Sequence, residues 1–253
     1  MWEYILTGIL QGIFEWLPIS SEGIVALFSS FALQQVNSVD FALFLHLGTA
    51  LAVIIFFWKD VVDLILFKDK KFLKFFIIVT VISGGIGFFV YKFASNIGGG
   101  PALLFLMGCG LLLTSWFQKK KIKIKASNTV SAIIVGLLQA ITPIPGVSRS
   151  GATIFGLSLF EDDPKKILKT SYLISVPVVL GSGLYLYLKT PAIISGNILI
   201  GIFFSFIFGI ATLKLLMGVS QKINFSKFTF IFGCLCLLGV LLYFVPGILE
   251  FFK

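Results

Sequence analysis

Six stretches of this chain are apolar for long enough to cross a lipid bilayer: roughly 40–58, 72–92, 101–117, 167–188, 192–214 and 228–249. A spanning helix needs about 20 such residues. The charge is correspondingly scarce: 58% of the 253 residues are hydrophobic and 12% are charged. A water-soluble domain has about 25% charged residues. Half that amount does not cover a soluble globule, so a soluble enzyme, a disordered chain and a nucleic-acid-binding domain are all excluded. The formal net charge of +9 is then loop charge on a membrane protein. Nineteen of the 20 basic residues are Lys, and the single Arg is Arg149.

Two further apolar stretches, roughly 2–36 and 128–160, are interrupted in the middle, at Pro18–Gly23 and Pro143–Gly151. The segment 2–16 makes a helix of about 22 Å, short of the ~30 Å hydrocarbon core. Polar, Gly/Pro-rich backbone at membrane depth is tolerated inside protein or against a wet cavity. Both stretches therefore read as re-entrant helix–loop–helix hairpins, against the plainer alternative of two full spans joined by a surface loop. Gly8–Gly23 aligns without gaps on Gly136–Gly151, with identities at Gly8/Gly136, Leu10/Leu138, Gln11/Gln139, Ile13/Ile141, Ser20/Ser148 and Gly23/Gly151. The constant shift of 128 residues is half the chain and marks an internal duplication.

The expected fold is an all-α integral membrane protein with six full transmembrane helices and two hairpins. One membrane domain, 1–253, is built of a first repeat, 1–125 (hairpin 2–36 plus three spans), and a second, 126–253 (hairpin 128–160 plus three spans). Lysines crowd the loops after the first and third spans, the segment after the second hairpin and the loop before the last span, which places those loops in the cytoplasm. With three spans between the hairpins, the halves become inverted repeats whose hairpin tips meet near the midplane, as in many transporters. Cys109, Cys234 and Cys236 are expected to be small core residues, and Met1-Trp2-Glu3 lacks the basic start of a cleaved signal peptide.

The two breaks carry the chemistry. Gln11 and Glu15 are four apart and share a helix face. Glu15, an ionisable residue deep in an apolar run, is a functional candidate or a partner for Arg149. A lone Arg among 19 Lys suggests a need for the guanidinium fork, which matches phosphate or carboxylate bidentately. Ser20, Ser21, Ser148 and Ser150 sit where helix N-caps belong, so free N–H groups and positive helix ends converge there. Thr153 faces the site or bonds its own helix, Glu22 complements a helix dipole or joins the site, and Gln139 is expected to be structural. His46 is expected to make a structural bond to a neighbouring helix, with a role near the site as the alternative. A carboxylate beside phosphate calls for a bridging cation, with Mg²⁺ or Ca²⁺ the natural choices. The physics reaches a membrane protein handling a phosphorylated, lipidic anion, with hydrolysis and transport both open.

At these residues the chain resembles the undecaprenyl-diphosphatase family of bacitracin-resistance (BacA/UppP) proteins. Gln11-Gly-Ile-Phe-Glu15-Trp-Leu-Pro-Ile-Ser-Ser21 resembles the family's (E/Q)-x-x-x-E…F-x-P-x-S-S segment. Pro145-Gly-Val-Ser-Arg-Ser-Gly-Ala-Thr153 matches P-G-x-S-R-S-G-x-T, and His46-Leu-Gly-Thr resembles its Q-L-G-x. The resemblance implies a metal-dependent phosphatase that removes the terminal phosphate of a polyprenyl diphosphate. Its product would be the monophosphate carrier lipid of cell-envelope glycan assembly, made at a plasma-membrane site opening to the extracytoplasmic face. It implies Glu15, Ser21 and Arg149 as catalytic, Gln11, Ser20, Ser148, Ser150 and Thr153 as substrate-binding, and Mg²⁺ or Ca²⁺ on Glu15; Glu22, a carboxylate the usual motif lacks, is the candidate second ligand. The alternative is a flippase for polyprenyl phosphate using the same anion site. The chain departs from the family at Ile24, where members commonly carry histidine, and at Glu22, where they carry threonine; His46 stands where many carry Gln.

Overall fold

The computed structural model describes residues 1–17, 21–32, 38–94, 101–120, 123–144, 147–189, 196–219 and 225–243. These form eleven helices: α1 (Trp2–Phe14), α2 (Ser21–Ala32), α3 (Ser38–Phe56), α4 (Trp58–Ile65), α5 (Lys70–Ala94), α6 (Pro101–Lys120), α7 (Asn128–Ala140), α8 (Arg149–Ser158), α9 (Pro164–Lys189), α10 (Gly196–Val219) and α11 (Phe225–Tyr243). Among the described residues there is no strand. A helix lies on each of the six expected spans. Lys70–Phe93, Pro164–Lys189 and Gly196–Val219 are long and apolar enough to cross a membrane on their own.

The interrupted stretches are each two short helices, α1–α2 and α7–α8, as the Pro/Gly/Ser breaks predict. Pro143 and the N-cap Ser148 end one helix and begin the next, because proline disfavours helix at the residue before it and an N-cap serine satisfies orphan N–H groups. The ends of the second hairpin lie side by side: Ile124 N–H donates to Leu159 O (2.8 Å), and Lys123 Nζ donates to Ser158 O (2.9 Å) and Glu161 O (2.8 Å). The chain thus enters and leaves α7–α8 at one place. One element was not anticipated. After Phe56 the chain turns by 83° into α4, inside what the sequence suggests is a lysine-bearing loop. None of the α4 residues is buried, and Asp60 pairs with Lys169 Nζ at 2.7 Å.

The surface is inverted relative to a soluble protein. Phe89, Phe93 and Leu188 are at least 70% exposed, while Thr7, Gln11, Thr153, Ser171 and Ser205 are 0% exposed. Apolar side chains outside and hydrogen-bonding ones inside are what a hydrocarbon solvent selects. The same principle corrects the cysteines. Cys109 and Cys234 are exposed on helix surfaces and Cys236 is half-buried, because in lipid an apolar residue gains little by turning inward.

The main packings come in pairs under the 128-residue shift. α1 packs on α10 and α7 on α5; α3 packs on α10 and α9 on α5; α2 lies on α3 and α8 on α9. α3 also meets α9, and α6 meets α11. The α1/α3/α10 contact is close enough to need glycine. A Cβ on Gly8 would lie 2.3 Å from Gly201 O, and one on Gly48 would lie 2.3 Å from Ile202 O. Hydrogen bonds reinforce it, from Ser205 Oγ to Leu45 O (2.8 Å) and from Thr212 Oγ1 to Gly12 O (2.7 Å).

Gly8→Leu is therefore expected to destabilise the fold by about 1–3 kcal/mol or more through overpacking. Gly85→Leu, where a Cβ meets nothing within 4 Å, should stay within about 0.5 kcal/mol. Thermal unfolding in detergent micelles checks the pair; equal effects would refute the packing.

Candidate functional site

Glu15 follows the last residue of α1, with its N–H bonded to Gln11 O (3.1 Å). Its side chain is 3% exposed overall and is met from four directions. Gln11 Nε2 donates to Oε2 at 2.6 Å and Ser21 Oγ donates to Oε2 at 2.8 Å. His46 Nε2 lies 3.1 Å from Oε2, and Arg149 Nη2 is paired with Oε1. A carboxylate has about four lone-pair sites; three of these partners share Oε2 and Arg149 takes Oε1. The partners come from α1, α2, α3 and α8, so one carboxylate ties both hairpins to the α3 span.

The second tip is built by its cap. Ser148 has extended backbone (φ −63°, ψ 121°), and its Oγ accepts the Gly151 N–H at 3.1 Å. This starts α8 at Arg149 and turns that helix end toward Glu15. Ser150 Oγ donates to Leu17 O (2.6 Å), and Tyr172 Oη donates to Trp16 O (3.0 Å). Trp16 in turn donates Nε1–H to Gly209 O (2.8 Å) and packs edge-on against Tyr172. The carbonyls that the end of α1 leaves open are thus taken by side chains of the other half.

The cluster opens on a cavity of about 380 Å³ lined at one end by Glu15, Ser21, Glu22, His46, Ser148, Arg149 and Ser150. Arg149 Nη1 is buried with no hydrogen-bond partner among the described residues. An unsatisfied buried donor costs about 1–3 kcal/mol, more if charged; this guanidinium has Nη2 fixed by Glu15 and Nη1 without a partner. Helix α8 begins at the same residue and adds its positive end. Glu22 lines the cavity with no hydrogen bond or ion pair among the described residues.

Several expected site residues are thus brought together: Glu15, Ser21, Glu22, Ser148, Arg149 and Ser150. Ser20, Pro145 and Gly146 lie outside the described residues. Gln11 is not on the cavity wall; it is fully buried and spends its amide on Glu15. Thr153 is also off the wall, since its Oγ1 donates to Arg149 O (2.9 Å) and meets Ser171 Oγ (2.6 Å), tying α8 to α9. Glu15 and Glu22, the expected metal pair, line the same cavity, with Glu15 already bonded to four side chains. Among the described residues no three metal-binding side chains gather.

His46 meets a neighbouring helix, as expected, and its partner there is the central carboxylate. It bonds its own helix through Nδ1 and Ala42 O (2.8 Å), and its Nε2 reaches the central carboxylate. The signal was present, since a lone histidine inside an apolar span calls for a polar partner. The fold, not the spacing, supplies Glu15 as that partner. Gln139 does bond structurally, to Ser83 Oγ and Ile174 O (both 3.2 Å), yet it lines the cavity with Oε1 unpartnered.

Fold and site together define a multi-pass α-helical membrane protein built around a buried guanidinium–carboxylate cluster that opens on a cavity. The chain belongs to the family described as Bacitracin resistance protein BacA, whose sequence model matches residues 4–241. It is 36% identical to a protein named undecaprenyl-diphosphatase from Thermosipho africanus, covering 97% of this chain and 100% of that one. Proteins of the same name from Halothermothrix orenii (34% identical, 98% of this chain and 99% of the relative) and Methanococcoides burtonii (32%, 95% and 98%) align as fully.

Removing one partner of a buried ion pair costs about 3–5 kcal/mol. Glu15→Gln and Arg149→Gln should each lose stability on that scale, and the double variant should lose less than the sum. Additive losses in a double-mutant cycle, measured by unfolding in micelles, would show that the pair is not coupled.

Proposed function

We propose that this protein is a polyprenyl diphosphate phosphatase that hydrolyses the terminal phosphate of an undecaprenyl-type diphosphate to leave the monophosphate lipid. The observation that carries the reading is the Glu15–Arg149 cluster, which lines an intramembrane cavity together with Ser21, Glu22, Ser148 and Ser150. The names of full-length relatives favour the phosphatase over the flippase.

In this reading Arg149 clamps the phosphate, with Glu15 and Gln11 holding its other arm in place. The guanidinium and the positive end of α8 stabilise the negative charge that spreads over the transferring phosphoryl oxygens. Ser148 and Ser150 keep that helix start in register. Ser21 Oγ, hydrogen-bonded to Glu15, has the geometry of a nucleophile beside a base. As Ser21 Oγ bonds to the terminal phosphorus its proton passes to Glu15 Oε2, the P–O bond to the bridging oxygen breaks and the lipid monophosphate leaves. Water then cleaves the phosphoserine, restoring the Ser21 hydroxyl and releasing inorganic phosphate with the proton from Glu15. Glu22 would hold a divalent cation, Mg²⁺ or Ca²⁺, brought in with the diphosphate; such an ion needs one or two carboxylates besides phosphate oxygens. That ion would supply neutralisation of phosphate charge.

The architecture is read as two inverted repeats, 1–125 and 126–253, within one membrane domain. The paired packings and the closed entry of α7–α8 support it. α5 and α9 start at lysine-rich ends and finish beside Lys92 and Lys189, where Tyr91 Oη donates to Asp40 Oδ1 (2.8 Å). The cavity reaches Tyr91 and Tyr185 at that lysine-poor end, which favours a site opening to the outside of the plasma membrane.

Purified protein should release phosphate from undecaprenyl diphosphate when Mg²⁺ or Ca²⁺ is present. Arg149→Lys should lower kcat about 100-fold, because a point charge cannot bond Glu15 and phosphate in the same plane. No release from folded protein at any metal concentration would refute the reading. Glu22→Gln should raise the metal concentration needed for half-maximal rate, whereas an unchanged metal profile would remove Glu22 from the cation's site.

A further inference from the structure

The 128-residue shift relates the α3/α10 seam to the α9/α5 seam, yet the two differ. α3/α10 is zipped, with Gly48 against Ile202 O and Ser205 bonded to Leu45 O. In the α5/α9 seam, Gly84 and Gly181 are exposed, and a Cβ on either would meet nothing within 4 Å. Both glycines line the cavity, as do Gly87, Phe88, Val178 and Tyr185. The cavity that holds the charged cluster is therefore lined by two membrane-crossing helices where their glycines are uncovered, one turn from the Phe88–Tyr185 ring contact that joins them (centroids 5.3 Å). Gln139 and Thr80 line the cavity as well, with Gln139 Oε1 and Thr80 Oγ1 buried and unpartnered among the described residues. Polar end and apolar slot form one continuous space.

A volume of about 380 Å³ is at the small end of ligand pockets, roughly 300–1,000 Å³. It holds a diphosphate and the first isoprene units, so the rest of a long chain must leave the protein. A hydrocarbon tail gains nothing by passing through water. It needs a slot open to lipid, without backbone polar groups across its path. The opened seam has those properties and its zipped counterpart does not.

We propose that the α5/α9 seam is the lateral doorway and seat of the lipid's hydrocarbon chain, with Gly84 and Gly181 kept small to let it pass. This rests on the phosphatase reading for the identity of the headgroup. It makes chain length, as distinct from phosphate chemistry, a property of these two helices. Gly85 is the natural comparison: a Cβ there also meets open space, but the residue does not line the cavity.

Two measurements test it. In the first, kcat/KM is compared for undecaprenyl and geranyl diphosphate. Gly84→Leu and Gly181→Leu should lower the long-to-short ratio about tenfold or more, with Gly85→Leu keeping the wild-type ratio. An unchanged ratio in both doorway variants overturns the doorway. In the second, which needs no turnover, an undecaprenyl monophosphate bearing a diazirine on its chain is photolysed with wild-type protein. Label is expected on the peptides of α5 and α9, falling in Gly84→Leu. Label confined to other helices overturns the proposal. Wild-type protein that releases no phosphate but labels α5 and α9 refutes the phosphatase reading and leaves the doorway standing.

Discussion

The Glu15–Arg149 ion pair joins two helix breaks from opposite halves of the chain, in a region where neither charge is solvated. Isolating either charge there would be costly, so the partners cannot separate without a replacement. The rest of the centre follows from that constraint. Gln11, Ser21 and His46 are drawn onto the remaining lone pairs of the carboxylate, and Ser148 starts α8 so that Arg149 arrives from the other side. Ser150 and Tyr172 close the carbonyls that the end of α1 exposes. A cavity forms where the two tips leave space, and the guanidinium keeps one unpaired nitrogen at that place.

The packings pair up under the 128-residue shift, α1 on α10 and α7 on α5. The paired segments differ in detail. One hairpin keeps the carboxylate at Glu15, while the aligned position in the other is Pro143 and its aligned Gln139 bonds Ser83 instead. One seam is closed by glycine contacts and its counterpart is parted. A symmetric frame has become a site with a charged end and an apolar side, the shape an amphipathic substrate requires.

Much of this was legible in the residues. Apolar length located the helices, the Pro/Gly/Ser breaks located the hairpins, and the lone Arg among lysines pointed to the centre. What was not legible depended on contacts between distant segments. His46 looked like a structural histidine because nothing near it in the chain is charged; the carboxylate it meets is 31 positions away. For Gln11 and Thr153 the residues left two readings open, and the fold turns Gln11 to Glu15 and Thr153 to its own helix and Ser171. The cysteines looked buried because an apolar residue is read as a core residue, a rule that lipid removes. α4 was hidden because its lysine and aspartates read as an ordinary loop.

The central claim is that the free arm of Arg149 meets the lipid's phosphate while Glu15 holds the other. Because Arg149 is the only arginine, protein labelled with ¹⁵N-arginine carries a single guanidinium signal. Solid-state dipolar recoupling between that nitrogen and the ³¹P of bound undecaprenyl monophosphate measures the contact directly. The account predicts an Nη–P separation within about 4 Å, as charge-assisted hydrogen bonding requires, with the coupling abolished by excess inorganic diphosphate. Bound lipid with no ¹⁵N–³¹P coupling at Arg149 would contradict it.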